Sequence, residues 1–247
     1  MYLDTQILWG ALLALARLSP IFFGSALGGI FGAAPMMARL VVSILLVWVS
    51  IPYISVGEIE FDAVWLVLAM AREFFIGLLL IVGIQVFLGA LTFAGGIVDM
   101  QMGLGAASVF NPLTNSSNLL ISQLFMWLGI VAILVFNVHH WLIEGYVFSL
   151  QKMPVGQMSL IIPMKGIITL FSAQFALAIS LVAPVISGLF CLDLAIGFLS
   201  RTMPQMNVYF VTLPLKIFIG LLLLVLSFRY MAPVITRQVD ALTSGFF

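Results

Sequence analysis

An acid, a base and two amides stand close together in an apolar stretch near the C-terminal end of the chain. They are Asp193, Arg201, Gln205 and Asn207, and most residues between them are apolar. Polar groups at membrane depth cost free energy unless a partner satisfies them. Three kinds of role fit this block: a proton or ion path, an inter-helix corner held by amide hydrogen bonds, or a contact with another protein chain.

Further charges lie inside apolar sequence and need partners too. On a helix, Asp193 and Arg201 would be about two turns apart and ~80° out of line, so each is expected to pair with another helix or another chain. Neutralisation within the fold is one interpretation of these charges, and a proton path is another. Burying them unpaired would cost several kcal/mol. Our hypothesis is that contacts between subunits are made by Arg72, Glu73, Asp99, Asp193, Arg201, Gln205, Asn207 and Lys216.

No set of residues has a spacing typical of catalysis or metal binding. His139 and His140 are adjacent, and Glu144 lies one helical turn after His140, but a metal site needs more ligands than these. We interpret the group as a histidine pair at a membrane interface with a satisfied carboxylate. The sequence also has no nucleophile elbow, phosphate-binding loop or protease-like aspartate pair. We therefore predict no enzymatic activity, no metal and no cofactor.

The composition places the chain in a membrane. Hydrophobic residues make up 64% of the 247 residues and charged residues only 7%, and the mean hydropathy is +1.27. A soluble domain with a solvated surface does not have this composition. The formal net charge is zero, so no basic field exists to attract nucleic acid. The single cysteine, Cys191, is predicted to be a small buried core residue.

The elements that must position these residues are apolar segments of about the ~20 residues that a spanning helix needs. A conventional interpretation gives about six such segments: 6–31, 40–56, 63–93, 119–143, 166–198 and 208–231. Several exceed one crossing and are interrupted by proline or glycine, so kinked helices and helical hairpins are expected. The prolines concerned are Pro20, Pro35, Pro184, Pro204 and Pro214. We predict an all-α integral membrane protein with one domain over residues 1–247.

The middle of the chain interrupts the apolar pattern. The interruption starts at Gly95-Gly96, includes Asp99 and Gln101, and ends in the turn-forming residues 110–118. Glycine at this density, with the Asn-Pro and Asn/Ser cluster, favours turns over helix, so we predict a long polar loop. It is either an ordinary connecting loop or a re-entrant, pore-lining segment enclosed by protein. The apolar residues 106–110 favour the enclosed alternative.

The run 193–217, which ends Leu213-Pro214-Leu215-Lys216-Ile217, resembles the signature of the FliR family of flagellar export-gate proteins and their injectisome counterpart SctT. Shorter matches lie along the rest of the chain in the order and spacing of that family. They are Ser19-Pro20-Ile21-Phe22, Pro35 with Arg39, Glu73-Phe74-Phe75-Ile76-Gly77, Gln101-Met102-Gly103-Leu104-Gly105, Phe110-Asn111-Pro112 and Met153-Pro154-Val155-Gly156.

This resemblance implies a subunit of the type III secretion export gate. One copy would join several FliP-like and FliQ-like chains, with an FlhB-like protein beside them, in a closed helical assembly through which unfolded substrates pass. Members of the family resemble helical hairpins packed into a pseudo-helical cone largely above the bilayer plane. The implied location is the bacterial inner membrane, in the flagellar basal body, with the gate extending towards the periplasm.

By the same resemblance, the loop after Gln101-Met102-Gly103 corresponds to a plug that helps to close the channel. Phe110 is the candidate stopper, because a bulky ring beside flexible glycine-rich backbone can fill a narrow lumen and still move. Many relatives carry Asp before the proline, whereas this chain has Asn111, so no role that needs that charge is carried over. The plug and pore residues are Gln101, Met102, Gly103, Ala106, Val109, Phe110, Asn111 and Pro112.

Two other classes of protein are alternatives to a gate subunit. A secondary transporter that works alone would be expected to show related halves with matching broken helices, and no such internal symmetry is visible. An intramembrane enzyme would need a nucleophile with a base, or a metal set. The motifs Gln101-Met102-Gly103 and Ser200-Arg201-Thr202 resemble those of the flagellar branch of the family. The equivalent subunit of a virulence injectisome is the alternative.

Overall fold

The computed structural model describes residues 2–23, 35–54, 63–105, 120–157, 164–202 and 208–244. The regular elements in these ranges are helices, which confirms the predicted all-α fold. They are α1 (Tyr2–Phe23), α2 (Met36–Ser50), α3 (Ala63–Met102), α4 (Leu120–Val135), α5 (Val138–Lys152), α6 (Met164–Thr202) and α7 (Val208–Ser244), with one turn of 3-10 helix, Ile51–Tyr53, after α2.

Four helices of the described ranges are long and apolar enough to cross a membrane. They are α2 with its 3-10 turn, α3, α6 and α7. The consecutive helices α4 and α5 add a fifth candidate if they count as one broken span, and α1 contains a shorter apolar helix. The chain is therefore an integral membrane protein. The described helices correspond to the predicted apolar segments, and four or five of them are candidate spans.

The predicted polar loop begins later than the sequence indicated. Gly95-Gly96 does not end α3, which continues as a helix through Met102 and gives way to a turn at Gly103. The prediction was wrong because Gly95 does not form a turn but allows α3 to pack closely against α4. A Cβ added at Gly95 would lie only 2.5 Å from the Cα of Ser122 on α4. Residues 106–119 lie outside the described residues.

Three of the five prolines lie inside helices: Pro20 in α1, Pro184 in α6 and Pro214 in α7. Apolar helices tolerate such prolines when neighbouring groups satisfy the freed carbonyls, so these prolines do not end the helices. Pro35 directly precedes α2 as its N-cap, and Pro204 lies outside the described residues. The actual break inside segment 119–143 is marked by Asn137, whose φ of 55° is left-handed, a conformation that asparagine adopts more readily than most residues.

The chain divides into two compact units. The first comprises residues 1–86, 133–168 and 245–247, and contains α1, α2, the first half of α3, and α5. Its core includes Leu13, Val47, Trp65, Tyr146 and Leu150, all of which are buried. Apolar side chains from four helices thus surround the interior of this unit.

The second unit comprises residues 87–132 and 169–244. Phe87 and Leu91 of α3 and Phe125 of α4 are almost fully buried in it. On α6, Gly188 faces α7 so closely that an added Cβ would lie 2.5 Å from Leu223 Cδ1. Cys191 is exposed, so its predicted place in the core was wrong. That residues 1–247 form one domain stays a prediction.

Candidate functional site

The acidic and basic residues of the C-terminal signature meet across two helices. The Nζ atom of Lys216 on α7 lies 2.5 Å from Oδ1 of Asp193 on α6. Their side chains are 21% and 33% exposed respectively, so the pair is half-buried. The expectation that Asp193 finds its partner on another helix is confirmed, and the partner belongs to the same chain.

The other polar residues of this signature are placed differently. Arg201 lies exposed in the last turn of α6, where a cation complements the negative end of the helix dipole. Gln205 and Asn207 lie outside the described residues. For Arg201, an exposed position is compatible with the predicted contact between subunits, which stays a prediction.

A fully buried charge cluster joins three helices of the first unit. Glu73 on α3 and Arg17 on α1 are both 0% exposed, and Arg17 Nη2 lies 2.5 Å from Glu73 Oε2. Arg72 Nη1 reaches the other carboxylate oxygen of Glu73 at 2.7 Å. Arg17 also donates to Ser149 Oγ of α5 at 3.1 Å. Such pairs persist in a low dielectric only when their remaining donors and acceptors are also satisfied.

The backbone after α5 completes that cluster. The carbonyl oxygen of Met153 accepts a hydrogen bond from Arg17 Nη2 at 2.9 Å, and the amide of Gly156 donates to Glu73 Oε1 at 3.3 Å. Gly156 has a φ of +87°, which favours glycine. The two segments that resemble the family around Glu73 and Met153 are far apart in sequence, and the structure brings them together at one site.

Asp99 is another buried acidic residue, and backbone amides hold it. Its carboxylate, 0% exposed, accepts the backbone amides of Ile121 at 3.0 Å and Ser122 at 2.8 Å, both in the first turn of α4. The described contacts of Glu73 and Asp99 thus lie within the chain. Their predicted role between subunits stays a prediction, and it would have to act through the helices that they hold.

The residues predicted to begin the plug end α3. Met102 is fully buried, Gln101 is half-buried, and Gly103 has a left-handed φ of +77°. A cavity of about 320 Å³ in the second unit is lined by Met100, Met102, Gly103, Gly105, Thr212, Leu213 and Lys216. The further plug residues, Ala106, Val109, Phe110, Asn111 and Pro112, lie outside the described residues.

The histidine pair does not form a metal centre with other ligands in the described part of the chain. His139 and His140 have ring centroids 4.3 Å apart, and Glu144 is exposed. Nowhere in the described ranges do three or more His, Cys, Asp or Glu side chains come together as metal ligands.

Sequence reasoning missed three fully buried polar residues. Arg17 was counted within an apolar segment, although an arginine in a helix of Leu and Ala was itself a signal. Gln174 on α6 and Gln238 on α7 are also 0% exposed. Gln174 Nε2 donates to the carbonyl oxygen of Gln238 at 2.9 Å, and Gln238 Nε2 donates back at 3.5 Å. These groups hold helices together, as polar side chains do in membrane bundles.

The comparisons with known proteins agree on one family. The family described as bacterial export proteins, family 1, matches residues 8–242. The flagellar biosynthetic protein FliR of Bacillus subtilis is 34% identical over 193 residues, 75% of this chain and 73% of that protein. FliR of Caulobacter vibrioides is 31% identical over 209 residues, 83% of each chain.

A relative from a different secretion system, by its name, extends the same comparison. The Yop proteins translocation protein T of Yersinia pestis is 26% identical over 219 residues, 84% of this chain and 78% of that protein. Because the family match covers nearly the whole sequence and the FliR relatives agree with it, this chain belongs to the bacterial export proteins, family 1, within which it resembles FliR.

Proposed function

We propose that this chain is the FliR-type subunit of the flagellar type III protein export gate. It contributes helices to a conduit for unfolded export substrates, and its segment 106–118 acts as a plug that helps to close the conduit. The observation that carries the proposal is the length of the apolar surface that the described chain leaves uncovered.

Helix α6 illustrates this surface. It has 39 residues, a length of about 58 Å at ~1.5 Å per residue. Large apolar side chains are exposed along nearly all of it: Met164, Ile168, Phe171, Ile179, Phe190, Leu194, Phe198 and Leu199. The stretch from the first to the last spans about 52 Å, whereas a bilayer core is only ~30 Å thick.

Tilting does not resolve this mismatch. A straight apolar stretch of about 52 Å would need a tilt of roughly 55° to fit, beyond the ~0–40° range of transmembrane helices. Part of the apolar surface of α6 therefore lies beyond the lipid and would face water unless other protein covered it. A subunit of a closed helical assembly meets this requirement, whereas a transporter that works alone does not.

The proposed partners are FliP-like and FliQ-like chains, with an FlhB-like protein beside them. The Bacillus and Caulobacter relatives are flagellar biosynthetic proteins by name, which favours the flagellar system. The proposed location is the bacterial inner membrane, in the flagellar basal body, with the gate extending towards the periplasm. The likeness to the Yersinia translocation protein makes the injectisome the second candidate.

Native mass spectrometry of the chain, co-expressed with its FliP-like and FliQ-like neighbours, tests the assembly. The expected result is a discrete hetero-oligomer that contains a single copy of this chain. A lone monomer or homodimer would contradict the proposal and would revive a transporter. Co-expression in parallel with the flagellar and the injectisome sets of neighbours decides between the two systems.

A deletion tests the plug separately. Removal of residues 106–117 is expected to leave the complex assembled while its ion conductance in a planar bilayer rises. Unchanged conductance in an assembled deletion variant would contradict the plug and would leave the assembly proposal standing.

A further inference from the structure

Helix α2 has polar groups on its buried side and apolar groups on its exposed side. Ser43 and Ser50 are buried, and each hydroxyl donates to a carbonyl oxygen of the same helix at 2.8 Å. The opposite side, which we call the outer face, consists of exposed apolar residues: Val41, Val42, Ile44, Leu45, Trp48 and Val49. A soluble helix has the reverse arrangement, so the surroundings of the outer face are apolar.

The length of α2 favours lipid over protein as these surroundings. With its 3-10 turn, α2 forms a candidate span of 18 residues, Met36–Tyr53, of which only Ser43, Val47 and Ser50 are buried. At ~1.5 Å per residue the span is about 27 Å long, close to the ~30 Å of a bilayer core. A bilayer alone can therefore cover α2, whereas the apolar stretch of α6 is too long for that.

Arg39 lies near one end of this span, three residues after Met36. Its Nε atom is buried and has no hydrogen-bond partner in the described part of the chain. Of the acidic side chains that the structure describes in the first unit, Glu73 is bound by Arg17 and Arg72, and Glu144 is exposed; neither pairs with Arg39. A buried donor without an acceptor is costly, and the positive end of the helix dipole adds to that cost for a cation. An anion in the surroundings of α2 would remove both costs.

We propose that the outer face of α2 binds an anionic phospholipid, whose acyl chains lie along the apolar side chains and whose phosphate binds the guanidinium group of Arg39. The planar guanidinium group presents paired donors that match phosphate oxygens. Arg39 begins about 4–5 Å inside the span, and its long apolar stem lets the charged end reach the headgroups. The inference goes beyond the proposed function, since it requires only that the chain lies in a membrane.

Lipid binding to the purified full chain in detergent tests the site. The chain is titrated with phosphatidylglycerol or with phosphatidylcholine that carries the same acyl chains, and native mass spectrometry counts the bound lipids. The first phosphatidylglycerol is expected to bind about fivefold more tightly than the first phosphatidylcholine, the effect of one arginine beside a net negative headgroup. Arg39→Gln is expected to abolish this preference and to leave phosphatidylcholine binding unchanged. Arg39→Lys keeps the charge and is expected to retain most of the preference.

Arg201→Gln is the matched control, because it removes the same charge from an exposed position at the end of another apolar helix. It is expected to leave the preference for phosphatidylglycerol in place. The inference is overturned if the unmodified chain binds both lipids equally, if the preference survives Arg39→Gln, or if Arg201→Gln reduces it as much.

Quenching of Trp48 by brominated lipid leaves Arg39 unchanged and distinguishes lipid from a protein partner. Trp48 is 70% exposed, and its emission is the difference between the unmodified chain and Trp48→Phe. In vesicles of phosphatidylglycerol with brominated acyl chains, this emission is expected to be quenched in the chain alone and also in the complex co-expressed with FliP-like and FliQ-like neighbours.

Two outcomes of the quenching experiment contradict the lipid site. An unquenched Trp48 in the chain alone would mean that the outer face does not contact acyl chains. Quenching in the chain alone with protection in the complex would mean that a neighbouring subunit covers the outer face. If no complex forms, the proposed function fails, and the chain alone still decides whether α2 binds lipid.

Discussion

Gly77 on α3 lies so close to α1 that a Cβ added to it would be 2.0 Å from the carbonyl oxygen of Arg17. That distance is far inside van der Waals contact, and a backbone atom cannot move aside as a flexible side chain can. One turn before Gly77, Glu73 binds the guanidinium of the same arginine. The two positions therefore belong together: the glycine permits the close approach that brings the carboxylate to Arg17.

The first prediction concerns this close approach. Gly77→Ala is expected to destabilise the protein by about 1–3 kcal/mol, because the new methyl group forces α3 away from α1. Gly89→Ala on the same helix is the control, since a Cβ there meets nothing within 4 Å. It is expected to be neutral or to stabilise by up to ~1 kcal/mol through helix propensity. Thermal unfolding of the purified complex measures both, and equal effects would contradict the packing argument.

The second prediction concerns the charge cluster. Glu73→Gln leaves the guanidinium groups of Arg17 and Arg72 buried beside a neutral amide, so a loss of about 3–5 kcal/mol is expected. Arg17→Met leaves Glu73 paired with Arg72 and the amide of Gly156, and is expected to cost less. The measurement is the midpoint of thermal unfolding.

Exposed Glu144 provides the control for the charge cluster, because Glu144→Gln makes the same chemical change on a solvated surface. A shift close to zero is expected there. If Glu144→Gln lowered the midpoint as much as Glu73→Gln, burial would not be the cause and the account of the cluster would be wrong.

The sequence predicted the helical class and the polar residues better than it predicted their partners. An uninterrupted apolar composition dictates helices in a membrane, because only a helix or a closed barrel satisfies its own backbone there. Partners depend on which helices lie side by side, and sequence gives distances only along one helix. Asp193 and Arg201 were correctly judged too far apart to pair, but nothing in their spacing identified Lys216 as the partner of Asp193.

Glycine explains why α3 was predicted too short. Gly95 supports either a turn or a close helix contact, and the two cases look alike in one sequence. The contact with Ser122 decides for the second. Similarly, Arg17 was overlooked because single charges disappear in an average over a long apolar window, although a buried arginine needs several partners that no window reveals.

The third prediction concerns the pair across α6 and α7. Asp193→Lys places two cations together near Lys216 and is expected to lower the stability of the complex, whereas adding Lys216→Asp restores an opposite-charge pair with the sign reversed. Because both side chains are partly exposed, each effect is expected to be about 1 kcal/mol or less. Double-mutant analysis of thermal unfolding measures the coupling. If the reversed pair is no better than the single change, Asp193 and Lys216 do not interact directly.

The last prediction concerns Arg201, the exposed cation of the C-terminal signature. Arg201→Ala is expected to lower the yield of the hetero-oligomer. The Arg201 side chain is exposed on an apolar helix, where a partner subunit can bind its guanidinium group. Lys152→Ala is the control: Lys152 is also exposed in the last turn of its helix, so both substitutions remove a cation from a helix C-terminus, and the ammonium of Lys152 lies 5.7 Å from the ring centroid of Phe148. Native mass spectrometry after co-expression gives the fraction of chain in the complex. An unchanged fraction for Arg201→Ala, or an equal fall for Lys152→Ala, would remove Arg201 from the subunit contact, and a fall for Arg201 alone places the end of α6 in that contact.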